Sequence, residues 1–293
     1  MMLVYASSNS AVSIKILANQ RKGWKWKSSF SKALGLSRQV VGIKFIFLKE
    51  EYEDLDVPEP KAGGCFCALT ARAMEGKIMK GKADTFGCQG GPEMLGMKKV
   101  SNYVWSGKQF STLRLYEDAA IARQVQQDLC FVDQRIYGVM TGPLEEMEDA
   151  DVVMLLCNGW QMMRLVQGYT WHHGMAKNIG MIGNQGICAD LVARPYMKND
   201  LNVSMLCLGA RTNTSAEDGE IGAGMPIHLF RDVAEGVLKT VNPAMSDKEK
   251  QALSERLETP DELGFEIEFG KVYMSYAKEK KYPEELYKQS GND

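Results

Sequence analysis

Histidine is nearly absent from this chain: His172, His173 and His228 are the only three in 293 residues. A metal site or catalytic base built on imidazole therefore has few places to form. No run approaches the roughly eighteen apolar residues needed to span a bilayer. The longest apolar stretches, near 40–48 and 152–157, are strand-sized. Neither sign of charge dominates, with 35 Lys and Arg against 37 Asp and Glu. The net charge of −2, spread along the chain, argues against nucleic acid as the main partner, because phosphate binding needs clustered basic residues. The opening Met1-Met2-Leu3-Val4-Tyr5-Ala6 lacks a basic start and passes into Ser7-Ser8-Asn9-Ser10, so no secretory signal is expected. An odd cysteine count excludes the evenly paired disulfide framework of a small secreted domain. With 45% hydrophobic residues, the chain builds a core without disulfides. These absences together imply a cytoplasmic protein with no membrane span and with free or metal-bound thiols.

What the chain does have is seven cysteines, several set in glycine. The clearest segments are Gly63-Gly64-Cys65-Phe66-Cys67-Ala68 and Gly87-Cys88-Gln89-Gly90-Gly91-Pro92. Gly186-Ile187-Cys188-Ala189 and Leu206-Cys207-Leu208-Gly209-Ala210-Arg211 lie in the second half. Glycine lets backbone approach a ligand or take positive φ, so a thiol set in glycine is a plausible site element. A cysteine also packs well at a helix–strand junction as a small apolar side chain. Four such thiols at element boundaries bring the site reading level with the packing one.

The periodicity predicts a helix over 9–35 and buried strands at 40–47 and Asp151–Cys157. It also predicts helices over Phe66–Gly76, 117–130 and Gln161–Gln167, strand-like segments within 100–116, and a strand at Leu201–Leu208. A helix follows Pro226, and a charged helix is expected at Asp247–Leu257. The acidic stretch around Glu145–Asp149 reads as a solvated connection. Cys67-Ala-Leu-Thr-Ala-Arg72 is echoed by Cys188-Ala-Asp-Leu-Val-Ala-Arg194, each copy following glycine and opening a predicted helix. That echo points to two related halves.

A thiol at a helix N-terminus faces unpaired N–H groups and the positive end of the helix dipole, both of which favour thiolate. Cys67 and Cys188 fit that description. Cys65-Phe66-Cys67 is too closely spaced for a structural zinc pair, which uses two to four intervening residues. An iron–sulfur cluster needs only four thiolates that converge in space. Cys67, Cys88, Cys188 and Cys207 are the four selected, as cluster and metal ligands, with Cys65 a possible substitute. Cys130 and Cys157 have apolar surroundings and read as core. Trp171-His172-His173-Gly174 reads as a packed turn. Arg211, just after a predicted strand, is placed to grip a carboxylate or phosphate, or to form a surface ion pair with Glu217 or Asp218. The glycines of Gly219–Pro226 offer a weak anion-binding loop before a helix and match neither the dinucleotide fingerprint nor the P-loop.

The order of Val41-Gly42-Ile43-Lys44-Phe45, Cys67, Cys88-Gln89-Gly90-Gly91 and Leu95-Gly96 resembles the ArCR-type domain of unknown function. Asp151-Val152-Val153-Met154, Gly186-Ile187-Cys188-Ala189, Val203–Arg211 and Met225-Pro226 continue the likeness over roughly 36–245. The resemblance implies a prokaryotic cytosolic protein of anaerobic metabolism and names no reaction. Cys65 lies outside the pattern associated with that family.

The expected architecture is mixed α/β (α+β), two related lobes at about 36–145 and 146–245 with mixed sheets flanked by helices. A cysteine-lined cleft lies between the lobes. An N-terminal helical segment (1–35) and a C-terminal helix with a charged tail (246–293) flank them. The leading expectation is an iron–sulfur cluster or other thiolate-held metal centre with a redox or electron-transfer role and a redox protein partner. The alternatives are a non-redox protein binding a small anionic metabolite through Arg211, and a thiol-dependent enzyme using Cys67 or Cys188. Homo-oligomerisation is compatible with all three.

Overall fold

The computed structural model describes residues 25–240 apart from Gln89, Gln134 and Glu148. Most of the helix expected at 9–35 and all of the charged helix at Asp247–Leu257 lie outside the described residues. Helix α1 (Lys25–Leu34) precedes β1 (Val41–Ile46), and α2 (Lys49–Asp54), α3 (Phe66–Met74) and β2 (Met79–Lys82) follow. Helices α4 (Gly90–Met94), α5 (Asn102–Trp105), α6 (Lys108–Thr112) and α7 (Ala119–Asp128) lead to β3 (Gly138–Pro143). The second half runs through β4 (Val152–Asn158), α8 (Gly159–His173) and a π-helix (Gly186–Ala193) that continues into α9 (Arg194–Lys198). It ends with β5 (Asn202–Ser204), α10 (Leu208–Thr214), β6 (Glu220–Pro226) and α11 (Ile227–Lys239).

The protein is mixed α/β, and its two halves share one six-stranded sheet instead of carrying a sheet each. The order is β2-β3-β1-β4-β6-β5, and every ladder is antiparallel. Each half follows the same path: its first strand is central, its third lies beside the first, and its second is at the edge. Register repeats as well. Val41 pairs with Pro143 in the first half, and Val152 pairs with Pro226 in the second. Gly42 faces Val153 where the halves meet. The cysteine echo thus has a topological counterpart, since α3 and the π-helix both lie between the first and second strands of their halves.

Strand alternation sorts the core into two layers, because successive side chains point to opposite faces. Val41, Ile43 and Phe45 of β1 and Val152, Met154 and Leu156 of β4 face α3, α4, the π-helix and α10. Val153, Leu155 and Cys157 face α1, α8 and α11 on the other side. Helices therefore cover both faces of the sheet. Phe66, fully buried at the start of α3, is worth about 2–3 kcal/mol in removed apolar surface, which anchors the helix start carrying the first two cysteines.

Several sequence expectations change here. The strand-like 100–116 region is two short helices, α5 and α6, with Ser101 capping the first through Val104 N–H. His172 and His173 end α8 instead of forming a turn, and they face Glu235 and Asp232 of α11. Of the glycines of 219–226, Gly222 and Gly224 lie within β6, and Gly219 is in the turn before it. A Cβ on Gly224 would sit 2.0 Å from the Leu191 carbonyl oxygen, so glycine is required for the π-helix to lie directly on the strand. No described helix is long and apolar enough to cross a membrane.

Arg38 locks the segment before β1 to the far end of β6. Its Nε donates to Glu220 Oε1 at 2.6 Å and its Nη2 to Glu220 Oε2 at 2.9 Å, while Nη1 reaches Thr214 O. Burial would raise the Glu220 carboxyl, but the Arg38 bonds and the Glu217 amide outweigh it and hold the pKa below its ordinary value. A depressed carboxylate contributes stability above its unfolded pKa and loses it as pH falls through the folded one. Arg38→Met should therefore cost about 2 kcal/mol at neutral pH in urea denaturation. The gap to the wild type should close as Glu220 protonates in acid.

Candidate functional site

Two backbone contacts assemble the cysteine segments. In the first half, Gly63 N donates to Thr85 O, Gly87 N donates to Gly64 O, and Gly64 bridges Phe86 in parallel. A Cβ on Gly87 would meet Gly63 O at 2.6 Å, so only glycine permits this approach. It brings Cys65 beside Cys88. In the second half, a Cβ on Gly186 would lie 2.8 Å from both Leu206 Cα and Cys207 N, so the turns before Cys188 and Cys207 abut in the same way. Both turns carry left-handed non-glycine residues, Gln185 at φ 56° and Leu206 at φ 66°. Such backbone costs on the order of 1–3 kcal/mol per residue and clusters at functional sites.

Cys65, Cys67, Cys88, Cys188 and Cys207 each stand at or near the start of a helix. Cys65 is the N-cap of α3 and Cys67 its second residue. Cys88 precedes α4, and its Sγ accepts from Gly91 N at 3.3 Å. Cys188 is the third residue of the π-helix, a form frequent at functional sites. Cys207 is the N-cap of α10, with Sγ accepting from Ala210 N at 3.4 Å.

Four of these thiols interact directly. The Cys65 sulfur contacts the thiols of Cys67 and Cys88, and Cys67 also contacts Cys188. Cys88 lies within electrostatic reach of Cys188. The Cys88 and Cys188 sulfurs stand 3.6 and 3.9 Å from the point a Gly91 Cβ would occupy. Cys67 and Cys188 are buried, whereas Cys65 and Cys88 are half-buried, so the group runs from the core to the surface.

The electrostatics single out Cys65. The Cys67 and Cys88 thiols donate to it, its own burial opposes, and the Cys67 and Phe66 amides assist. The side chain does not form a full capping hydrogen bond, yet it sits near enough to these amides for them to favour the anion. Its thiol is held well below the ordinary range. Cys67 moves the other way, raised by Cys188, by Cys65 and by burial. The Cys88 thiol is likewise pushed up, chiefly by Cys65 and then by burial. The pattern is one thiol held low beside two thiols pushed high. The helix-start reasoning expected acidic thiols at Cys67 and Cys188; the thiol held down here is that of Cys65, one step nearer the surface.

The sequence set of Cys67, Cys88, Cys188 and Cys207 is therefore brought together in three of its members, with Cys65 as the fourth thiol. Cys207 is absent from the strongest interactions of the group. Its sulfur accepts from Ala210 N. Among the described residues, no three His, Cys, Asp or Glu side chains are grouped so as to hold a single metal ion. Cys157 is core, its thiol pushed up to about 12 by burial and then by Glu220. Cys130 is half-buried beside Arg194 instead of lying in the core. The Arg211 guanidinium is committed to backbone, donating to Glu217 O, Met205 O and Glu220 O at 3.0, 3.0 and 3.2 Å. It ties the loop between β5 and β6, in place of the ion pair with Glu217 or Asp218. The signal that could have found Cys65 was its place immediately before Phe66, the buried residue that opens α3.

Fold and site together define an α/β protein whose repeated halves meet around a thiol group on one face of an antiparallel sheet. The chain belongs to the family described as Uncharacterised ArCR, a domain of unknown function, whose model matches residues 29–236. It is 27% identical over 208 residues to an uncharacterised protein of Methanocaldococcus jannaschii, an alignment covering 69% of this chain and 88% of that protein. No solved structure matches it.

Proposed function

We propose that Cys65, Cys67, Cys88 and Cys188 hold an iron–sulfur cluster or another thiolate-held metal centre, in a redox or electron-transfer role in the cytoplasm. The observation that carries this reading is the convergence of four thiols from both halves at helix starts. What supports it chemically is that four cysteine thiolates are the usual donors of a cluster with more than one metal atom. Backbone amides support the fit: Gly91 N–H on Cys88 and the Phe66 and Cys67 amides at Cys65 offset negative charge gathered on sulfur. Bound there, the group would supply one-electron chemistry. The chain itself orients the sulfurs, sets Cys65 beside Cys88 through the Gly87 contact, and keeps Cys67 and Cys188 out of water. A redox protein would approach at the half-buried Cys65 and Cys88. Protein prepared without oxygen should show thiolate-to-iron charge-transfer absorption that air bleaches; a colourless anaerobic preparation would count against the reading.

A second reading rests on the acidity of Cys65. In protein free of metal, its thiolate is the nucleophile for attack on an electrophile, with Cys67 and Cys88 as neighbouring proton donors. The sequence pointed to Cys67 or Cys188 for that role; this reading assigns it to Cys65.

A further inference from the structure

A separate cavity of about 210 Å³ lies between the end of α7, the segment around Gly180–Ile182 and the π-helix. Its lining combines the apolar Leu129, Met181, Ile182 and Ala189 with Arg194, Asp190 and Asp128. Asp190 is buried, and its Oδ2 accepts from Ser204 Oγ at 2.7 Å. Arg194 stands one helical turn on, its Nη2 donating to Asn178 O at 2.9 Å and its Nη1 reaching Cys130 Sγ at 3.9 Å. Its Nε is buried without a partner. A guanidinium carries five N–H donors, and an unpaired buried one calls for an explanation. Among the described ion pairs, none joins Arg194 to Asp190.

Burial pushes the Asp190 carboxyl up to about 7, and Arg194 acts on it from beyond ion-pair distance. A cavity lined by both groups complements a ligand carrying both charges. A simple anion would meet Arg194 but also the two carboxyl groups. A simple cation would leave the guanidinium unserved. A zwitterion serves both ends, and the apolar lining accepts a short side chain. We propose that this cavity binds a small α-amino acid, its carboxylate held by Arg194 and its ammonium group by Asp190, with the side chain against Leu129 and Met181. Gly180 seats the arginine, because a Cβ there would lie 2.7 Å from Arg194 Cζ. The inference stands apart from the thiol site and does not depend on any metal.

The test is ligand-observed NMR on the full chain with glycine, alanine, valine and methionine as probes, and propionate and propylammonium as single-charge controls. At least one amino acid should bind about tenfold or more tightly than either control, as charge-assisted hydrogen bonds at both ends require. Arg194→Gln and Asp190→Asn should each weaken that binding about tenfold, while Arg211→Gln leaves it unchanged. Gly180→Ala keeps both charges but displaces the guanidinium, and it too should weaken binding, which decides the matter if Arg194→Gln does not fold. Absence of binding by all four amino acids, or propionate binding as tightly as the best of them, overturns the proposal. So does undiminished binding in Gly180→Ala and Arg194→Gln.

Discussion

Limited alkylation of metal-free protein at neutral pH should label Cys65 first, at least about a hundredfold faster than Cys157. The difference begins with ionisation. Cys65 is held below the ordinary thiol range by the Cys67 and Cys88 thiols, and then by amides at the start of α3, against the effect of its own burial. Cys157, facing the opposite core from β4, is pushed up to about 12 by burial and by Glu220. A lower pKa also lowers intrinsic nucleophilicity, which offsets part of the gain in thiolate and leaves a ratio far from one. Access acts in the same direction, since Cys65 is half-buried and Cys157 buried. Cys67 should be slow, being buried with its thiol raised by Cys188 and Cys65. Peptide mapping by mass spectrometry reads the order directly. Labelling of Cys67 before Cys65 would restore the expectation drawn from helix position alone and contradict the donor arrangement seen here.

The second large effect separates Cys65 from Cys207. Replacing Cys65 or Cys88 by Ser should abolish bound iron in protein prepared without oxygen, because in the proposed centre each would supply a thiolate at the accessible end of the group. Cys207→Ser should retain it, since that sulfur caps α10 through Ala210 N–H and serine caps a helix at least as well. Cys130→Ala should also retain it, because Cys130 lies beside Arg194 and not with the four thiols. Iron content per chain, measured alongside circular dichroism to confirm folding, distinguishes the cases. Loss in Cys207→Ser with retention in Cys65→Ser would return the ligand set to the one chosen from sequence.

Much of the scaffold was legible because its signals are local. β1 and β4 announce themselves as apolar, β-branched runs, and α7 lies within the helix expected at 117–130. β2, β3 and β6 were missed for one physical reason. Met79–Lys82, Gly138–Pro143 and Glu220–Pro226 are short or glycine-bearing, and isolated glycines read as turns. In β6 the glycines serve tertiary contact, with Gly222 and Gly224 lying against Leu191, which no local pattern reports. The cysteine echo was visible because Cys67 and Cys188 open helices at matching places in a repeated topology. Whether a given thiol joins the group depends on how the Gly63–Gly64 and Thr85–Gly87 strands of loop are stitched together, a contact between distant segments. Sequence therefore pointed to segments that the fold brings together, while the placing of Cys65 beside Cys67 and Cys88 rests on contacts no local pattern reports. Arg211 illustrates the same limit: its position after β5 suggested a ligand, while folding back of the β5–β6 loop supplies three carbonyls that occupy it.

The most direct measurement is paired iron and acid-labile sulfide determination on the full chain purified without oxygen. The expected result is iron and sulfide together in whole-number proportion to protein, both lost in Cys88→Ser. Iron-free and sulfide-free protein that still folds, with Cys65 freely alkylated as isolated, would contradict the metal-centre reading and leave the thiolate itself as the reactive group.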